Sequence, residues 1–142
     1  MDAARTVLAF DVGTRDIGVA VGSALSGARP LKTFPAATPD ATWQQLLTEW
    51  KPALCVVGMP LTEDGTEQPM VGTARAFARR LRKLGSDVAF ADERLSTREA
   101  RDRFREGRRD GSQRRNGIDR LDAMAAAVIL ETWLERSGHA PG

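Results

Sequence analysis

Residues 7–21, VLAFDVGTRDIGVAV, decide how the rest of the chain is read. Two apolar runs, at 6–10 and 17–21, are joined by a connection carrying Gly13, and Gly18 opens the backbone of the second run. Such a pattern predicts a hairpin of two buried strands. One carboxylate, Asp11, stands where the first run ends. An acid has no packing role in an apolar strand, so Asp11 is either a turn residue bonded to nearby backbone or a functional ligand. The remainder of the chain decides between the two.

Composition limits the choices. With 142 residues, 42% hydrophobic and 28% charged, the chain reads as one domain over 1–137 with a disordered tail at 138–142. It has no apolar run of about 18 residues to cross a membrane. Its first ten residues, MDAARTVLAF, lack a basic region followed by an apolar stretch and a cleavage site, so a cytoplasmic protein is expected. Cys55, the single cysteine, lies in the apolar run ALCVV and reads as a buried thiol, which excludes a disulfide framework or a cysteine-built zinc site. His139, the single histidine, sits in the tail and argues against histidine catalysis.

Net charge is +2, but the charges are unevenly spread. Residues 75–83 carry five bases and no acid, and residues 101–115 carry seven Arg against three acids. The rest of the chain is therefore net negative. Basic surfaces around an acidic centre suit a phosphate-bearing polymer met by cation-binding carboxylates, although charge runs also occur as plain solvated helix faces.

After the hairpin, residues 29–34 read as an edge strand, where Pro30 is tolerated. Thr38 and Pro39 predict an N-cap and a first helical residue, and Trp43, Leu46, Leu47 and Trp50 give the helix an apolar stripe that stops near Pro52. Residues 53–57 form a continuous apolar run, expected as a strand parallel to the first. A long connection with two Gly, two Pro and three acids follows over 58–70, a candidate functional loop. Val71, Ala74, Phe77, Ala78 and Leu81 mark the next helix, and 87–91 a further strand. Ser96 and Glu99 form a capping box for another helix. Residues 107–117 have no periodicity, and a last helix over 119–136 carries Asp122, Ala126, Ile129 and Trp133 on one stripe. This order predicts an α/β fold with a mixed sheet.

Three acids stand where packing alone would not put them: Asp11, Glu93 and Asp122. Strand ends of a parallel sheet share one edge, the edge where ligands bind in open α/β sheets. Glu93 can instead pair with Arg94 or Arg98 at the surface, and Asp122 lies near enough to a helix start to favour its dipole. Three neighbouring anions without a partner would resist ionising together. A divalent cation resolves this, and oxygen-only ligands select Mg²⁺ or Mn²⁺. Phosphodiester hydrolysis is the matching chemistry.

At these residues the sequence resembles the bacterial YqgF family, also called RuvX. LAFDVGTRDIGVAVG, VVGMPLTEDGTEQP, DERLST and RLDAMAAAVILE follow its pattern in order over nearly the full chain. The resemblance implies an RNase H-like five-stranded sheet, second strand antiparallel, with helices on both faces. It also implies a Mg²⁺- or Mn²⁺-dependent nuclease trimming the 5′ end of precursor 16S ribosomal RNA. Asp11, Glu93 and Asp122 fall on its acidic positions. In resolvase relatives the second acid ends the fourth strand, whereas here that strand ends in Gly58-Met59-Pro60, so Glu93 substitutes from the next strand with Asp92 as its rival. Asp64 and Glu67 also match the family, without an assigned step.

Other functions compete. A Holliday junction resolvase acting on branched DNA would need two sites about a two-fold axis, and a monomer or weak homodimer is expected. The hairpin also resembles the phosphate-binding hairpin of actin-like ATPases, which need two such domains. A non-catalytic RNA-binding module would keep the acids as relics. With aromatics at 6% and no Tyr, base stacking is sparse, and Arg79, Arg82, Arg94, Arg108, Arg109, Arg114 and Arg115 are the candidate phosphate contacts.

Overall fold

Alternation along each apolar strand sorts side chains onto the two faces of one sheet. A computed structural model describes residues 4–60, 69–93, 102 and 117–137. Its strands are β1 (Val7–Val12), β2 (Asp16–Ser23), β3 (Gly27–Pro35), β4 (Leu54–Met59) and β5 (Val88–Asp92). They lie in the order β3-β2-β1-β4-β5, with β2 antiparallel to β1 and β3, and with β4 parallel to β1 and β5. The described helices are α1 (Asp40–Trp50), α2 (Pro69–Lys83) and α3 (Gly117–Ser137). The expected mixed sheet with its second strand reversed is the sheet observed.

Leu8, Phe10 and Val12 of β1 share one core with α1 and α2, and Val7 and Ala9 share the other with α3. All five expected apolar residues of α2 are buried. Trp43 of α1 is fully buried and meets Phe10, Phe34 and Phe77 at ring centroid distances of 6.0, 4.9 and 5.1 Å. Such aromatic pairs contribute about 0.5–1.5 kcal/mol each beyond their buried area. On the α3 face the contacts are smaller, with Ala126, Ala127 and Leu130 against Val7, Ala9, Ala20 and Val56. Small residues let α3 lie close to the sheet.

Two strands run past their apolar stretches. Asp11 and Val12 continue β1 because Gly18 and Ile17 pair with them, and Asp92 continues β5 opposite Met59. Asp11 therefore lies inside β1 rather than after it. A second difference concerns α1, whose N-cap is Pro39 and not Thr38. Thr38 Oγ1 instead donates to the Pro35 carbonyl at 2.6 Å, closing the turn from β3 into the helix. The helix ends at Lys51, in the left-handed region at φ 46°, with its N–H returned to the Leu47 carbonyl at 2.8 Å. Arg80 of α2 ties back to the start of α1, donating to Asp40 Oδ1 at 2.8 Å and to the Thr38 carbonyl at 3.0 Å.

At the β3 edge, the pairing with β2 shifts between Val19 and Ala20, leaving Leu31 as an extra residue. The Ala28 N–H donates to Oε2 of the buried Glu131 at 2.9 Å. Among the described residues no helix is long and apolar enough to cross a membrane.

Candidate active site

Phase along β1 decides where its acid goes. Val7 and Ala9 face α3, so Asp11, in step with them, is presented on the α3 face near the strand's end. β5 makes the same decision between Asp92 and Glu93. Phe90 packs toward α1 and α2, and Ala91 toward α3. Asp92 is in phase with Phe90, whereas Glu93 follows Ala91 and brings its carboxyl against Asp11.

The two carboxyls are hydrogen-bonded to each other. Burial raises the pKa of Asp11 above the ordinary carboxylate range, partly offset by this bond. Glu93 is pushed up to about 8, first by burial, then by the charge of Asp11, the bond to it, and the charge of Asp92. Two buried carboxyls in contact resist ionising together.

Asp122 approaches from α3. Its backbone carbonyl lies so close over Gly18 that a Cβ there would overlap it, and Gly18 is the partner of Asp11 in the β1–β2 ladder. Asp122 is half-buried beside that rung. Among the described residues, no group of three or more His, Cys, Asp or Glu is spaced to hold a metal ion. The structure joins Asp11 to Glu93 and brings the backbone of Asp122 over the neighbouring strand.

The basic candidates are placed differently. Arg79 and Arg82 lie on α2, on the opposite face from Asp11. Arg82 donates to the Val88 carbonyl at 3.2 Å and lies 5.6 Å over the Phe90 ring, which puts it at the start of β5, the end remote from Glu93. Arg94, Arg108, Arg109, Arg114 and Arg115 lie outside the described residues, as do Asp64, Glu67, the helix expected after Ser96 apart from the helical Asp102, all but the last residue of the 107–117 segment, and the 138–142 tail. Cys55 is a buried thiol pushed up to about 11 by burial, with the Ser86 hydroxyl donating to it at 3.1 Å, so it supplies no thiolate at neutral pH. An open groove of about 370 Å³ between β3 and α1, lined by Leu31, Lys32, Phe34, Glu49 and Trp50 among others, has no paired acids.

One glycine escaped the sequence reading as part of this site: Gly58 on β4, which with Gly18 on β2 flanks Asp11 on the α3 face. The available signal was a glycine directly after the apolar run 53–57.

A protein of Edwardsiella ictaluri named "Putative pre-16S rRNA nuclease" is 51% identical over 136 residues, covering 92% of this chain and 95% of its own. A protein of Pectobacterium carotovorum with the same name is 49% identical, covering 92% and 96%. Among solved structures, Thermus thermophilus RuvC matches with a TM-score of 0.57 at 17% identity over 94% of this chain and 96% of that one. The same protein in complex with Holliday junction substrate matches with a TM-score of 0.54 at 15% identity, over 95% and 96%. At that identity the likeness establishes the fold, which is RNase H-like. The sequence model of the RuvX family, described as Holliday junction resolvase, matches residues 5–136, and the chain belongs to this family.

Proposed function

We propose that this chain is a nuclease that hydrolyses phosphodiester bonds with Mg²⁺ or Mn²⁺ and trims the 5′ end of precursor 16S rRNA. The observation that carries the reading is the contact of the Asp11 and Glu93 carboxyls at one edge of the sheet. Relatives about half identical over nearly their whole length are named for that RNA, which favours it as substrate.

The donor set fits a hard cation, because the acids offer only oxygen and two of them meet carboxyl to carboxyl. Asp11 and Glu93 would hold the cation, with Asp122 contributing from α3. When bound, such a cation supplies charge neutralisation for a phosphoryl group and a more acidic water. The chain's own residues do the rest. The backbone of Asp11 is held in the β1 ladder by its pairing with Gly18 of β2. Glu93 must release its proton to serve as an anion beside Asp11, which makes cation binding stronger as pH rises. Backbone phosphates are held by Arg side chains, with weak sequence readout and strong salt dependence. The protein is read as cytoplasmic, acting as a monomer or weak homodimer.

A second reading, cleavage of branched DNA, is favoured by the family's description as a Holliday junction resolvase. The test offers purified protein precursor 16S rRNA and four-way DNA junctions side by side, with Mn²⁺ and with chelator, and maps the cuts. Cation-dependent cuts at the rRNA 5′ flank support the first reading, and symmetric junction cuts the second. Tight binding without cleavage of either would overturn both in favour of a non-catalytic module.

A further inference from the structure

We infer that Gly58 is a positioning residue, whose missing side chain is the space through which Glu93 reaches Asp11. The inference rests on the nuclease reading only for what the pair does, not for the pair's geometry. β4 lies between β1 and β5, and Glu93 must cross it to meet Asp11. Phe10 pairs with Val57 and Ala91 with Gly58, so Gly58 stands level with Asp11 on the α3 face. Built onto Gly58, a Cβ would lie 3.0 Å from Glu93 Oε1, 3.3 Å from its carboxyl carbon and 2.8 Å from Ile129 Cδ1. The backbone does not demand glycine there, because among the described residues only Gly27 and Gly85 have positive φ for a glycine. What is excluded is the atom itself.

Gly18 shows the contrast. A side chain there would strike the backbone of Asp122 and Ala123, and only lifting α3 off the sheet would relieve it. At Gly58 the obstacles are the ends of two side chains, which can turn aside while the fold stays intact. Gly58→Ala therefore moves Glu93 away from Asp11 rather than unfolding the chain.

The test separates packing from positioning. Ile129→Val removes Cδ1, the tighter contact, and leaves the contact with Glu93. The double variant Gly58→Ala/Ile129→Val is compared with the parent in the cation-free full chain by the carboxyl ¹³C signal of Glu93, with and without Asp11→Asn. Asp11→Asn is expected to shift that signal in the parent and to leave it unmoved in the double variant, with Tm close to the parent's. Mg²⁺ affinity by calorimetry and kcat are expected to fall by about tenfold or more, the scale seen when a ligand loses its orientation, with KM for nucleic acid unchanged. An equal shift in both backgrounds, or cation affinity recovered together with Tm, would overturn the inference and leave Gly58 a packing residue. Absence of cation-dependent cleavage in the parent defeats the nuclease reading instead, and the ¹³C comparison still decides the position of Glu93.

Discussion

Asp11 and Glu93 hydrogen-bond to each other across an intervening strand, for β4 separates the strand that carries Asp11 from the one that delivers Glu93. Burial raises the cost of ionising both; the charge and bond of Asp11 raise it further for Glu93, whereas the bond to Glu93 lowers it for Asp11. Removing one acid relieves the fold and disarms the site. Asp11→Asn is expected to lower cation-dependent cleavage by roughly 10²-fold or more, the scale of losing one main electrostatic contact, while Tm in chelator stays level or rises. Retained cleavage in the purified variant would remove Asp11 from the site.

The pair also sets a pH dependence of stability. Glu93 ionises at its ordinary 4.5 in the unfolded chain and near 8 in the fold. Between those values the unfolded chain has lost a proton that the folded chain keeps, so stability falls as pH rises through the window and levels off above it. Asp11, also raised, adds to the fall at its lower end. Thermal melts in chelator from pH 4.5 to 8 are expected to show a declining Tm, flattened by Glu93→Gln. A Tm rising across the window would contradict the raised Glu93.

Trp43 anchors the opposite face, at 0% exposure among three Phe rings. Trp43→Ala is expected to cost about 3–5 kcal/mol in denaturant unfolding, with Mg²⁺ affinity of the folded protein unchanged because the acids lie across the sheet. Lost affinity in the folded state would show that the two faces are coupled.

Arg82 is occupied at the start of β5 by the Val88 carbonyl and the Phe90 ring. Arg82→Ala is expected to leave the salt dependence of nucleic-acid binding unchanged, whereas a true phosphate contact would lower the slope by about one. A drop of that size would mean that substrate wraps to the far end of β5.

Local pattern made much of this legible. The alternation through Leu8 and Phe10 and the stripe from Val71 to Leu81 fix both faces of the sheet, because period and burial are encoded residue by residue. Strand ends were not legible in the same way. Whether Asp11 and Asp92 belong to strands depends on partners at Gly18 and Met59, far away in the chain. The choice of Glu93 over Asp92 depends on those same ends, since one residue of slip exchanges the faces. Thr38 misled because Pro39 supplies an extended N-cap with no side-chain bond, leaving the hydroxyl to close the preceding turn.

The β3 border has a consequence for the company the molecule keeps. Pro30 and Pro35 bring no N–H, the bulge at Leu31 breaks the rhythm, and Ala28 has given its donor to Glu131. An extended peptide or a misfolded copy arriving there finds too few donors to add a strand. Few donors are left along that part of the β3 edge for an added strand.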